Sequence, residues 1–161
     1  MKKLIAIAVI LGVSAGAQAA VGFGFGTNFY KPNAAGYEAK NGRNFLVNWT
    51  LDNDLQLGVY EEDSQTFIVG FPSTFSVSAI QVAKGVVKNV VVGLNIGSGT
   101  VGAASQPLVD VFGAVNILSG TGEKVNGALK ATVAARFCEQ ILAGLGAANG
   151  LNLGLSVDMN F

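Results

Sequence analysis

Two pairs of opposite charges are the residues of this chain whose types and spacing could do chemistry. Lys130 and Arg136 share one segment of alternating residues, while Asp110 and Asp158 lie on the segments before and after it. If these segments pair as hairpins, Lys130 meets Asp158 and Arg136 meets Asp110. Paired charges compensate one another in a low-dielectric interior, whereas a lone buried charge is costly. We expect structural pairing, with a proton or ion path along these charges as the alternative.

Nucleophilic catalysis lacks its usual partner in this sequence. The chain has no histidine, the side chain best suited to act as a general base near neutral pH. Ser76 and Ser78 therefore have no evident activator. Cys138 has Arg136 as its basic neighbour on the same strand face, and we expect the thiol to be a small interior or rim residue. We predict no catalytic, cofactor-binding or metal-binding residues, no cofactor, and a protein that is not an enzyme.

Two further patterns have both a chemical and a structural interpretation. Alternate glycines could suggest a phosphate-binding loop, but they lie on an alternating strand without the Lys-Ser/Thr that such a loop needs, so small residues facing a crowded interior explain them better. These are Gly22, Gly24 and Gly26. An acidic run could hold a divalent cation, although a solvated loop flank is the simpler interpretation. It consists of Glu61, Glu62 and Asp63.

The elements that would position these residues are strands. In residues 151–161 every odd position is apolar and every even one is polar or glycine. Because successive side chains of a strand point to opposite faces, this segment has one oily and one wet face. The oily face could meet a packed core, or it could meet lipid, since about 9–11 residues suffice for a tilted strand to cross a membrane.

The first nineteen residues have the features of a secretory signal peptide. Lys2 and Lys3 precede an apolar run at residues 4–13, and Ala17-Gln18-Ala19 is a small-x-small cleavage site. We expect residues 1–19 to be removed and residues 20–161 to form one domain.

Without Lys2 and Lys3 the formal charge is −2, from eight basic and ten acidic residues, which gives no reason to expect nucleic acid as a partner. A single cysteine, Cys138, excludes an internal disulfide.

Eight segments of strand character follow the predicted signal peptide. They comprise residues 21–30, 45–51, 55–61, 74–87, 90–96, 108–117, 128–138 and 151–161. The fourth breaks its alternation where Ile80 and Val82 change face, and a β-bulge near Ala79 would restore it. Short links alternate with four longer ones, at residues 31–44, 62–73, 97–107 and 139–150. This alternation is typical of a meander whose two ends differ, as in a barrel with tight turns at one end.

On these residues the chain resembles the small eight-stranded outer-membrane β-barrels, the OmpA- and OmpX-type fold, over essentially all of residues 20–161. The resemblance implies an all-β, antiparallel, up-and-down transmembrane barrel in the bacterial outer membrane, with short periplasmic turns, longer outer loops and periplasmic termini. It also implies contacts with outer-membrane lipids and lipopolysaccharide. The barrel-assembly machinery would read the C-terminal strand, in which Met159 stands where an aromatic residue is more usual. The assembly signal comprises Phe161, Met159, Val157, Leu155 and Leu153.

Physical expectations accompany the resemblance. Eight strands enclose an interior that side chains can fill, so we expect a polar plug of Gly, Asn, Thr and Ser and no wide channel. Four aromatic residues near strand ends could form interfacial girdles or simply pack beside turns. They are Tyr30, Trp49, Tyr60 and Phe161.

The sequence favours a structural or surface-interaction role for such a barrel. A narrow, porin-like pore or carrier for small or hydrophobic solutes is the alternative. A soluble exported β-barrel that binds an apolar ligand is the second alternative. The sequence leaves the oligomeric state open.

Overall fold

The chain forms a closed, eight-stranded antiparallel barrel. A computed structural model describes residues 20–33, 40–51, 53–68, 71–101, 104–138 and 149–161. Each strand pairs with its neighbours in sequence, and the last strand closes on the first. The predicted all-β class, strand number and strand order are thereby confirmed. The strands are β1 Ala20–Pro32, β2 Lys40–Thr50, β3 Leu55–Ile68, β4 Phe71–Val87, β5 Val90–Val101, β6 Ala104–Thr121, β7 Asn126–Cys138 and β8 Gly150–Asn160.

The two ends of the barrel differ. At the turn end, Ala20 and Phe161 lie beside the links at residues 51–54, 88–89 and 122–125. Asp54 and Asn89 adopt φ angles of 61° and 67° there, in the left-handed region that Asp and Asn tolerate in turns. The opposite end is called the loop end. Among the described residues no helix is long and apolar enough to cross a membrane. The predicted signal peptide, residues 1–19, lies outside the described residues.

Strand register gives the barrel a fixed stagger. One row of paired residues starts at Gly22 on β1, passes round the barrel and returns to β1 at Pro32, which is ten residues further along. For eight strands, such a stagger goes with a strand tilt of about 35–45°. The row consists of Gly22, Asn48, Gly58, Gln81, Asn95, Asp110, Arg136, Gly150 and Pro32.

The oily face of each strand points outward. On β8 and the residue that follows it, Leu153 is 40% exposed, Val157 is 42% exposed and Phe161 is 57% exposed. Phe23 and Phe25 of β1 are exposed in the same way, while Gly22 and Gly24 face inward. The oily face of the closing segment therefore does not pack against the interior of the barrel.

The predicted bulge near Ala79 is wrong. The β3–β4 register runs without a shift from Leu55↔Lys84 to Ile68↔Phe71. Phe75, Val77 and Ala79 are buried inside the barrel, whereas Ile80 and Val82 are exposed outside it. The apolar residues change face because the interior itself is apolar near the loop end. The register shifts lie beside turns instead, between Gly85 and Val87 and between Asn116 and Leu118.

Two of the four predicted long loops are mostly strand. β3 and β4 pair as far as Ile68↔Phe71, and β5 and β6 pair as far as Val101↔Ala104. Beyond residues 61 and 96 the apolar alternation stops, but backbone pairing does not need apolar side chains, so the strands continue. The other two links comprise residues 33–39 and 139–149.

Apolar side chains fill part of the interior, so the predicted polar plug was incomplete. The cluster near the loop end, the apolar plug, comprises Tyr30, Phe75, Val77, Ala79, Leu108 and Cys138. A second cluster lies nearer the turn end and comprises Ala83, Phe112, Ala114 and Ala134. Two of the aromatic residues considered for girdles, Tyr30 and Tyr60, face inward, which corrects that part of the girdle prediction.

Glycine positions test this packing. A Cβ added at Gly97 would overlap the carbonyl oxygen of Ser78 and the backbone of Ala79, whereas one added at Gly113 meets nothing within 4 Å. We expect Gly97→Ala to lower the free energy of unfolding by about 1–3 kcal/mol through overpacking. Gly113→Ala should leave it unchanged or raise it by up to about 1 kcal/mol. Urea unfolding followed by Trp49 fluorescence measures both, and equal effects would contradict the packing described.

Candidate functional site

Arg136 lies at the centre of a buried charge cluster inside the barrel. Its Nε donates to Asp110 Oδ1 at 2.8 Å and its Nη2 to Asp110 Oδ2 at 2.9 Å. On the other side, Nη1 and Nη2 donate to Glu62 Oε1 and Oε2, both at 2.8 Å. The flat guanidinium thus makes a two-bond contact with each carboxylate, the geometry that makes such pairs strong. The Arg136 side chain is 0% exposed.

Strand register brings the three charges together. Asp110 and Arg136 are direct cross-strand partners on β6 and β7, so hairpin pairing alone places them side by side. Glu62 reaches the same guanidinium from β3, on the other side of the barrel. The strand continues past residue 61, and Glu62 lies at an even spacing from Gly58 and Tyr60, so it faces inward as they do.

A hydrogen-bond network spreads from the charges to most of the wall. The Tyr60 hydroxyl and the Asn152 amide donate to Glu62 Oε2 at 2.7 and 2.8 Å. The Asn95 amide donates to Asp110 Oδ2 at 3.4 Å. Further bonds run from Asn28 to Asn152 at 3.3 Å and from Gln81 to Asn95 at 3.0 Å. Within the described residues, seven strands contribute to this network: β1, β3, β4, β5, β6, β7 and β8.

Aromatic rings cover the cluster on its loop-end side. The guanidinium carbon of Arg136 lies 4.6 Å from the ring centre of Tyr30 and 5.5 Å from that of Phe75. The two ring centres are 5.1 Å apart. A cation over an aromatic face is attracted by the ring quadrupole. Arg136 therefore joins the ionic part of the interior to the apolar plug.

The second predicted pair lies near the turn end. Lys130 Nζ contacts Asp158 Oδ2, and the Ser156 hydroxyl donates to Asp158 Oδ1 at 2.9 Å. The structure thus brings Lys130 to Asp158 and Arg136 to Asp110. Between the two sets of charges lies a cavity of about 60 Å³ with a mixed polar and apolar lining, enough for a few water molecules. Its polar lining includes Asn44, Gln56, Gln81, Asn95, Thr132 and Ser156.

Sequence reasoning missed Glu62. It placed the whole acidic run at the base of a loop, whereas the run continues β3 and alternates between the faces. Glu61 and Asp63 share the outer face, and Glu62 is buried inside. The signal was available in the spacing, because Glu62 is two residues after Tyr60 and four after the inward Gly58. Recognising it required extending the strand through residues that are polar on both faces.

The remaining candidate residues lie in packing or hydrogen-bonding environments. Cys138 is buried in the apolar plug, and the Ser76 hydroxyl donates to Asp63 Oδ1 at 2.8 Å. A Cβ at Gly24 would lie 2.8 Å from Asp158 Oδ1, so a small residue is needed there, as the interior packing predicted. No group of three or more His, Cys, Asp or Glu residues is placed to hold a metal ion in the part of the chain that the structure describes.

No protein-family model matches this chain, and no curated protein matches it either.

The charge cluster should hold the barrel together as a unit. Arg136→Met leaves two buried carboxylates uncompensated, so we expect it to lower the free energy of unfolding by about 3–5 kcal/mol. Lys130→Met is the matched control, because its ion pair retains side-chain exposures of 13% and 9%, and it should cost about 1–3 kcal/mol. Urea unfolding measures both. An Arg136→Met variant no less stable than Lys130→Met would contradict the central position given to the cluster.

Proposed function

We propose that this chain is an integral outer-membrane β-barrel with a structural or surface-interaction role. The observation that supports it best is the inverted arrangement of the wall, which has an apolar belt outside and the Arg136, Glu62 and Asp110 charges buried inside. Water favours the opposite arrangement, whereas hydrocarbon favours this one, and a closed barrel leaves no unpaired backbone edge within a bilayer.

The outer wall supports this proposal through its continuity. Two successive rows of paired residues are apolar on every strand that they cross. The first consists of Val21, Trp49, Leu57, Val82, Leu94, Val111, Ala135 and Leu151; the second consists of Phe23, Val47, Val59, Ile80, Ile96, Val109 and Phe137. From Leu151 to Phe161 the outward residues cover about 25 Å of the barrel axis, at about 3.3 Å per residue and a tilt of about 40°. Apolar bands of outer-membrane barrels have about this height.

The interior favours a barrel that does not conduct. The apolar plug and the Arg136 cluster fill the cross-section near the loop end, and the cavity of about 60 Å³ lies on the turn-end side of them. A solute entering from the turn end would meet the buried guanidinium and two aromatic rings. The pore or carrier alternative would require this packing to open.

In this proposal the turn end faces the periplasm and the loop end faces outward. Residues 1–19 direct export, and the assembly machinery reads the closing strand that ends in Phe161. No histidine is present, and no activated nucleophile is seen among the described side chains, so we propose a role without catalysis.

Fractionation tests the location. We expect the protein to remain in the membrane pellet after salt and osmotic extraction and to require detergent for release. Heated and unheated samples should then migrate differently on a denaturing gel, because a closed barrel resists detergent until it is boiled. Release without detergent, with identical bands, would instead support the soluble alternative.

Conductance tests the closed interior. We expect purified protein in planar bilayers to give no current steps above the lipid background, because the plug and the charge cluster obstruct the interior. Liposomes that contain it should swell in small sugars no faster than empty ones. Reproducible steps from the wild-type chain would favour the pore alternative over the structural role.

A further inference from the structure

The outer wall has a polar interruption in its apolar belt. On β3 the belt extends from Leu55 only to Val59, about 10 Å along the barrel axis, before Glu61 follows on the same face. We call this region the polar notch. It comprises Arg43 of β2, Glu61 and Asp63 of β3, and Ser76 and Ser78 of β4.

The opposite side of the barrel has no such interruption. On β7 and β8 outward residues stay apolar towards the loop end, as Val133, Phe137 and Leu151 do, and all three are exposed. The apolar belt is therefore shorter towards the loop end on β2–β4 than on β7 and β8, and on β5 it gives way to Ser98 and Thr100 after Ile96.

Two polar atoms in the notch lack partners, although the Ser76 hydroxyl donates to Asp63 Oδ1. Glu61 and Ser78 are cross-strand partners, yet Glu61 Oε1 and Ser78 Oγ are buried atoms with no hydrogen bond. Among the described residues, no ion pair joins Arg43 to either carboxylate of the notch. A crevice of about 270 Å³ opens between these side chains. Unpaired polar groups are expensive next to hydrocarbon, so this part of the wall is better suited to a polar partner than to lipid tails.

We propose that the polar notch is the interface of a parallel dimer of this chain. The inference rests on the proposed membrane location. Arg43 is the cross-strand partner of Asp63, and its neighbour Phe45 is the partner of Glu61, so the cation lies at nearly the same height as both anions. A two-fold axis along the membrane normal preserves height, and one passing between β2 and β3 brings each Arg43 to Glu61 and Asp63 of the second copy.

Charge argues for a second copy rather than a lipid headgroup. The notch holds one guanidinium and two carboxylates, so an anionic headgroup would meet two like charges for each cation, whereas a second copy places its own cation against the two carboxylates. A second copy supplies a guanidinium to the Glu61 and Asp63 carboxylates and hydroxyls to the crevice. Each polar contact between membrane-spanning segments stabilises their association by a modest amount, and the two-fold symmetry doubles every contact.

Cross-linking in native membranes tests the dimer. All variants carry Cys138→Ala, so that one cysteine is present in each. Phe45→Cys places it beside Arg43, and Val133→Cys is the matched control on the far wall, since the two native side chains are 46% and 55% exposed. With a short bismaleimide, we expect a dimer band from Phe45→Cys and little from Val133→Cys. In the Phe45→Cys background, Arg43→Glu should reduce the dimer about tenfold, and adding Glu61→Arg should restore it.

Each outcome has a definite meaning. Heat-shifted bands in the membrane fraction show that a variant is folded and inserted. Inserted protein that gives no Phe45→Cys dimer, equal dimer at both positions, or no response to charge reversal overturns the dimer and leaves the proposed location standing, as lipid occupancy would. Protein that stays in the soluble fraction contradicts the location and the dimer together.

Discussion

Closure of β8 on β1 with a stagger of ten residues is the constraint on which the rest of this structure depends. Once the register is fixed, the two-residue period of each strand decides which side chains face inward. It places the phenylalanines of β1 outside and its glycines inside, and it puts Asp110 beside Arg136. The diameter that goes with eight strands then brings Glu62 within reach from the other side. Wall chemistry, packing and charge pairing all follow from one geometric choice.

We infer that the buried charges specify the arrangement of the strands more than they add stability. Removing three charged groups from water is costly, and apolar replacements of similar volume can be as stable. The ionic cluster restricts how β3, β6 and β7 can be positioned, because a guanidinium between two carboxylates accepts few geometries. The amides of Asn152 and Asn95 and the Tyr60 hydroxyl complete the acceptors that Arg136 leaves open. The apolar plug, in contrast, fills space, and its non-directional contacts do not require one particular partner for each side chain.

Sequence reasoning succeeded where one face of a strand is apolar and the other is not. That contrast identified all eight strands, and hairpin geometry brought Lys130 towards Asp158 and Arg136 towards Asp110, since these are neighbours on adjacent strands. It failed where the contrast disappears. Immediately past Glu61 on β3 and Ile96 on β5, both faces carry polar residues or glycine, so these strand extensions resembled loops. β4 has apolar residues on successive faces because it contributes to the plug. Glu62 could not be assigned to Arg136 because contacts across the interior depend on stagger and diameter, which no local pattern contains.

The same arrangement disfavours barrels that close with a shifted strand register. A slip of one residue in any strand exchanges its two faces, so a misaligned β7 would present Arg136 to the exterior and leave Glu62 and Asp110 facing each other unneutralised. A slip of one residue in β3 would likewise turn Glu62 outward and leave the Arg136 guanidinium with one of its two carboxylates. Wrong registers are thus penalised electrostatically as well as by lost packing. The interactions of Arg136 therefore favour the correct register over most of the wall.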